Sequence, residues 1–93
     1  MTQPAHTPGP WYVDSCDDDL VFSANGLHIA TVGNEHQPDQ SAEEITANAR
    51  LIAAAPDLLA AAEKVIASWQ SGDLAAAVRQ LDAAIDLAKG DAA

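Results

Sequence analysis

Apolar residues come in short, strand-length runs over the first third of the chain and recur at helical spacing over its second half. Trp11-Tyr12-Val13, Leu20 to Ala24 and Leu27 to Val32 have the length and the branched or aromatic content of strands. Ser15 to Asp19 separates the first two as a polar, acidic turn, and Asn25-Gly26 separates the second from the third. Both residues of Asn25-Gly26 tolerate positive φ, so the pair predicts a two-residue hairpin turn. That turn sets a register in which Ala24 faces Leu27, Phe22 faces Ile29, Leu20 faces Thr31, Val21 faces Ala30 and Ser23 faces His28. Leu20, Phe22, Leu27 and Ile29 then share one face, which is expected to cover the helices. His28 and Ser23 fall on the other face, open to solvent, a partner or a ligand.

Residues 33–42 read as a polar loop, after which the period changes. Ser41 followed by Glu44 fits a capping box and starts the first helix. At about 100° per residue, Ile45, Asn48, Leu51, Ile52 and Ala55 share one face, Asn48 interrupts that apolar stripe, and Arg50 points away from it. Pro56 lacks an N–H and disfavours helical geometry in the residue before it, so two helices should meet at Ala55. Pro56-Asp57 suits the first turn of the second helix, over roughly 56–69. Its stripe is Leu58, Leu59, Ala62, Val65, Ile66 and Trp69. Ser71-Gly72 ends it and Asp73 caps a third helix, which carries Leu74, Ala77, Val78, Leu81, Ile85 and Ala88 on one face and stops at Gly90. The short connection predicts an antiparallel helical hairpin. Residues 72–85 resemble one helix of a tetratricopeptide repeat, but no second copy follows at the required period. The expectation is therefore a single small α+β domain over 1–93. It comprises an extended Pro-rich arm (1–10), a three-stranded antiparallel β-meander (11–32), the loop, and three α-helices (43–90) with a break at Pro56 and a C-terminal helical hairpin.

The formal net charge of -10 argues against direct nucleic-acid binding and against anionic membrane surfaces. No apolar segment is long enough to span a bilayer, and the start lacks the basic-then-apolar pattern of a secretion signal. The lone Cys16 excludes an intrachain disulfide and suits a reducing cytoplasm. Alanine-lined helix faces bury little area each, so a homo-oligomer that shares apolar surface is expected.

Catalysis needs a nucleophile, base or metal in a defined geometry. Cys16 stands at no informative spacing from His6, His28 or His36, and its acidic turn disfavours a reactive thiolate. Asp17-Asp18-Asp19 lacks the alternating ligands and turn glycine of a calcium loop. His28 and His36 lack zinc-type partners, and there is no glycine-rich phosphate loop. No enzyme, cofactor or metal is expected, which leaves binding. Trp11 and Tyr12 are adjacent on a strand and point to opposite faces, so one can join the core while the other stacks on a flat ring. Aromatic stacking together with Arg50 or Arg79 suits a phosphorylated, purine-like ligand. Asn48 must find partners in its apolar stripe, either a neighbouring loop or a ligand. The candidate binding set is Trp11, Tyr12, His28, Asn48 and Arg50.

The order of motifs is informative: His6-Thr7-Pro8-Gly9-Pro10-Trp11, then Ala24-Asn25-Gly26 with Ile29-Ala30-Thr31-Val32, then Ala47 to Leu59, then Ala84-Ile85 with Ala88-Lys89-Gly90. Together these resemble a widespread set of small proteins encoded by tailed bacteriophages and prophages. The most specific part is Asn48-Ala49-Arg50-Leu51-Ile52-Ala53-Ala54-Ala55-Pro56 with the Pro-Gly-Pro-Trp opening, and the loop at 33–42 departs from the pattern. The resemblance implies a phage accessory protein acting in the host bacterial cytoplasm, and it transfers no catalytic residues. Such a protein can counter host defence without catalysis in two ways. As a sponge, an oligomer sequesters a small nucleotide-derived immune signal in a pocket between subunits. As an acidic inhibitor, it blocks a host defence protein through Asp17, Asp18, Asp19, Glu43 and Glu44. A structural or regulatory phage adaptor is the third reading.

Overall fold

The computed structural model describes residues 5–17, 19–33, 40–69 and 71–90. Asp18, most of the expected loop with His36, the first four residues of the arm and Asp91-Ala92-Ala93 lie outside these. The elements are β1 (Trp11–Val13), β2 (Leu20–Ser23), β3 (His28–Thr31), α1 (Ala42–Ala53), α2 (Ala55–Ser68) and α3 (Leu74–Lys89). The strands form one antiparallel sheet in the order β1-β2-β3. The α+β meander followed by three helices is thus as expected.

The hairpin turn is not. Gly26 has φ 85°, but Asn25 has no positive φ, so the two-residue turn that needs both is ruled out. The Gly26 N–H donates to the Ser23 carbonyl at 2.9 Å, and the Ser23 N–H donates to the Leu27 carbonyl at 2.8 Å. These bonds close a three-residue loop with glycine at its left-handed position. The Ser23 hydroxyl completes it, accepting from the Leu27 N–H at 3.1 Å and donating to Asn25 Oδ1. Pairing next to the turn is shifted, with Phe22 opposite His28 rather than Ile29. An irregularity between Val21 and Phe22 then restores the expected pairs Val21 with Ala30 and Leu20 with Thr31.

The sheet also sits on the helices by the other face. Val21 and Ser23 are fully buried, whereas Leu27 is 53% exposed. Val21, Val32, Ala49 and Ala53 form the core, packed against Trp11, Val13, Ile29, Ala30, Ile45 and Ile52. Of the four residues expected to cover the helices, only Ile29 does so, and Ser23 is inside rather than on the open face. The physical reason is that Leu20-Val21-Phe22 is apolar on both faces, so alternation does not choose between them. The smaller Val21 and Ser23 let the sheet approach the alanines of α1.

Small residues decide the helix contacts as well. The Ser41 hydroxyl accepts from the Glu44 N–H at 3.1 Å and starts α1 as expected. Yet α1 buries Ala49 and Ala53 and leaves Leu51 more than half exposed, so its inward face is rotated from the expected stripe. α1 and α2 meet at Ala54, with Pro56 in the first turn of α2. Asp73 holds the cap position of α3 without a side-chain hydrogen bond, and Gly90 ends α3 with φ 77°. α2 and α3 form the expected hairpin, but its inner residues are Ala61, Ser68, Ala77 and Ala84. Ile66, Trp69, Val78 and Ile85, expected on the packed stripes, stay on the surface. Close helix approach selects small side chains and turns the large ones outward.

The arm folds back on its own chain. The Trp11 indole N–H donates to the Thr7 carbonyl at 3.2 Å, and the His6 ring stands edge-on to Trp11 at 6.3 Å. A Cβ on Gly9 would lie 2.7 Å from the Cβ of Pro56, so the arm can cross the α1–α2 junction at this distance only with glycine there.

Candidate functional site

β1 is an edge strand, and it crosses the C-terminal end of α1 beside the last turn of α3. This leaves a cleft of roughly 200 Å³ lined by Trp11, Tyr12, Val13, Arg50, Ala53, Ala54 and Leu87. Apart from Arg50 and the tyrosine hydroxyl, the side chains lining it are apolar or indole. Trp11 is half-buried and oriented by its bond to Thr7. Tyr12 is 46% exposed and packs on Phe22 with ring centroids 6.1 Å apart. The two adjacent aromatics thus take opposite faces of the strand, as expected, and both line the cleft.

Arg50 projects from α1 across the end of α3. A Cβ on residue 90 would lie 2.8 Å from its Nη1 and 3.0 Å from its Cδ. The carbonyls ending α3 carry the negative end of the helix dipole and favour a cation there. Among the described residues, no carboxylate comes within ion-pairing distance of Arg50. Gly90→Ala should place a side chain at positive φ and against Arg50, and lower stability by about 1–2 kcal/mol in a urea titration.

The other two candidates lie elsewhere. His28 is on β3, separated from β1 by β2 and hence by about 10 Å of sheet. Its ring contacts Phe22 at 5.8 Å, and its Nε2 is 2.9 Å from Thr31 Oγ1. It extends an outer aromatic row, Tyr12-Phe22-His28, rather than the cleft. Asn48 is half-buried on α1 and does not line the cleft. Sequence reasoning missed Leu87, Val13, Ala53 and Ala54. Leu87 had a signal, because it is the one large apolar residue of α3 off the expected stripe.

The acidic residues are organised locally. Asp14 Oδ2 accepts from the N–H groups of Cys16 (3.2 Å) and Asp17 (3.0 Å) and shapes the turn after β1. Glu43 and Glu44 occupy the first turn of α1. Among the described residues, no three His, Cys, Asp or Glu side chains gather into a metal-binding group. No helix among them is long and apolar enough to cross a membrane.

With this geometry in place, the comparison with known families is decisive on origin. The model of the family described as Salmonella phage P22 protein Y8K6 matches residues 1–92. The chain belongs to that family. Neither the curated proteins nor the solved structures include a significant match to it. Membership in the P22 Y8K6 family agrees with the phage resemblance of the motifs. In this member of the family, the two most specific blocks of that resemblance touch: Gly9 packs on Pro56, and Trp11 shares the cleft with Arg50, Ala53 and Ala54.

Proposed function

We propose that this phage protein is a non-enzymatic accessory protein of the host bacterial cytoplasm that binds and sequesters a small nucleotide-derived immune signal. The observation that carries this reading is Arg50. In a chain with fourteen acidic and four basic residues, this guanidinium has no acidic partner among the described residues and borders an apolar cleft beside Trp11 and Tyr12. A guanidinium binds phosphate through two parallel, charge-assisted bonds. The indole and phenol rings supply stacking surface for a heterocycle. The cleft is smaller than the roughly 300–1,000 Å³ of a drug-sized pocket. It takes one ring, with a phosphate at the Arg50 rim and the rest of the ligand outside. The acidic-inhibitor reading has less support, because its described residues lie on separate elements, Asp17 and Asp19 after β1 and Glu43 and Glu44 on the first turn of α1.

Equilibrium dialysis against adenosine monophosphate and a panel of cyclic dinucleotides tests the site. Arg50→Ala should weaken the tightest binder roughly 10–100-fold, the worth of hydrogen bonds to a charged group. Arg79→Ala, at an exposed site on α3, should leave the affinity within about twofold. Unchanged affinity in Arg50→Ala would show that the ligand does not use this cleft.

A further inference from the structure

The fully buried side chains of this chain are small. Val21 and Ser23 are the largest of them, and the rest are alanines such as Ala49, Ala61 and Ala77. Larger apolar side chains are on the surface, and they are not scattered. On one side of the α2–α3 hairpin, a groove is bordered by Asp57, Ala60, Gln80 and Ala83. Helical geometry puts Ile66 and Trp69 of α2 and Val78 and Ile85 of α3 on the opposite side. Ile66 is 75% exposed, Trp69 68%, Val78 50% and Ile85 40%. The half-buried Val65 and Leu81 fill the seam between these rows, and Asp82 and Lys89 border the α3 row on its outer edge.

We infer that this face is the interface with a second copy of the same chain, which completes a four-helix bundle from two hairpins. Three observations select that occupant. The first is area. With its half-buried seam the face offers on the order of 550 Å² of surface per copy, so two copies bury about 1,100 Å², just above the ~1,000 Å² that a specific interface needs. The second is charge. The centre of the face is uncharged and its α3 edge carries both signs, Asp82 beside Val78 and Lys89 beside Ile85, so it complements another face of the same kind and not a purely basic partner. The third is shape. The Cα radius of gyration is 15.1 Å with extents of 48 × 28 × 22 Å, against roughly 12 Å for a compact chain of 93 residues. The hairpin projects from the sheet, and its outer face is uncovered. The spacing of Ile66 to Trp69 and of Val78 to Leu81 to Ile85 is the three-and-four repeat by which antiparallel helices interlock in bundles.

Sedimentation equilibrium tests this without reference to any ligand. The wild type should sediment at twice its 9.6 kDa chain mass. Ile66→Asp and, independently, Val78→Asp should raise the dimer dissociation constant at least about 30-fold, with an unchanged helical circular dichroism spectrum, because both positions are surface sites in the single chain. Raising salt from about 0.05 to about 0.5 M should tighten the dimer, since screening relieves repulsion between two anionic chains. A wild type that stays at monomer mass at about 100 μM would overturn the inference. So would an Ile66→Asp variant that is folded and still dimeric.

Discussion

Val21→Asp is expected to leave the protein largely unfolded in buffer, while Phe22→Asp, one residue further along β2, leaves it folded. Val21 is fully buried at the centre of the core, between Val13 and Ala30 in the sheet and over Ala49 and Ala53 of α1. An unpaired carboxylate there has no donor to meet it, and the loss should exceed about 4 kcal/mol. A chain of this size holds only about 5–15 kcal/mol in total, and one whose fully buried side chains are small belongs near the lower end. Phe22 lies on the outer face between Tyr12 and His28. Aspartate there forfeits ring contacts but stays solvated, at a cost of about 1–2 kcal/mol. Urea titrations followed by far-ultraviolet circular dichroism measure both. The opposite order, with Phe22→Asp unfolded and Val21→Asp folded, would mean that the Leu20 and Phe22 face covers the helices after all.

Ala61→Leu should cost about 3 kcal/mol, where Ala67→Leu on the same helix costs no more than about 0.5 kcal/mol. Ala61 is fully buried on the side of α2 that meets Ala77 and Ala84 of α3. Three extra carbon atoms between two helices held together by alanines force the axes apart or the side chain out of its rotamer. Ala67 faces solvent and gains nothing to collide with. Denaturation midpoints at matched protein concentration give both values. Equal effects at the two positions would mean that the hairpin is not closed through its alanines.

These two contrasts mark where the sequence was readable and where it was not. Elements were legible because their boundaries rest on local chemistry. Ser41 supplies an N-cap oxygen, Pro56 cannot continue α1, and Gly90 takes the left-handed backbone that ends α3. Which face turns inward was less legible, because it depends on how closely neighbours approach. Leu51, Ile66 and Trp69 read as core from hydrophobicity, yet Ala49, Ala61 and Ala77 let backbones come together and hold those places. At the hairpin, Ser23 adds a side-chain bond to the Leu27 N–H and stabilises a three-residue loop that Asn25-Gly26 alone does not announce. One added loop residue moves His28 opposite Phe22.

The candidate site was legible in part for the same reason. Trp11, Tyr12 and Arg50 come together because the edge strand β1 crosses the end of α1. His28 shares a face of the sheet with Tyr12, but β2 stands between them, a separation that the expected meander already implied. Leu87 completes the cleft from α3; its place off the expected stripe marked it, but not which element it would meet.

Native mass spectrometry of the purified protein, after incubation with extract from phage-infected, defence-active cells, reads occupancy of the cleft and chain number together. The wild type should retain a small mass on the order of a few hundred daltons per chain, and Arg50→Ala should lose it while keeping the same chain stoichiometry. Retention of the same mass by Arg50→Ala, or no retained small mass on the wild type, would contradict sequestration in the Trp11–Tyr12–Arg50 cleft.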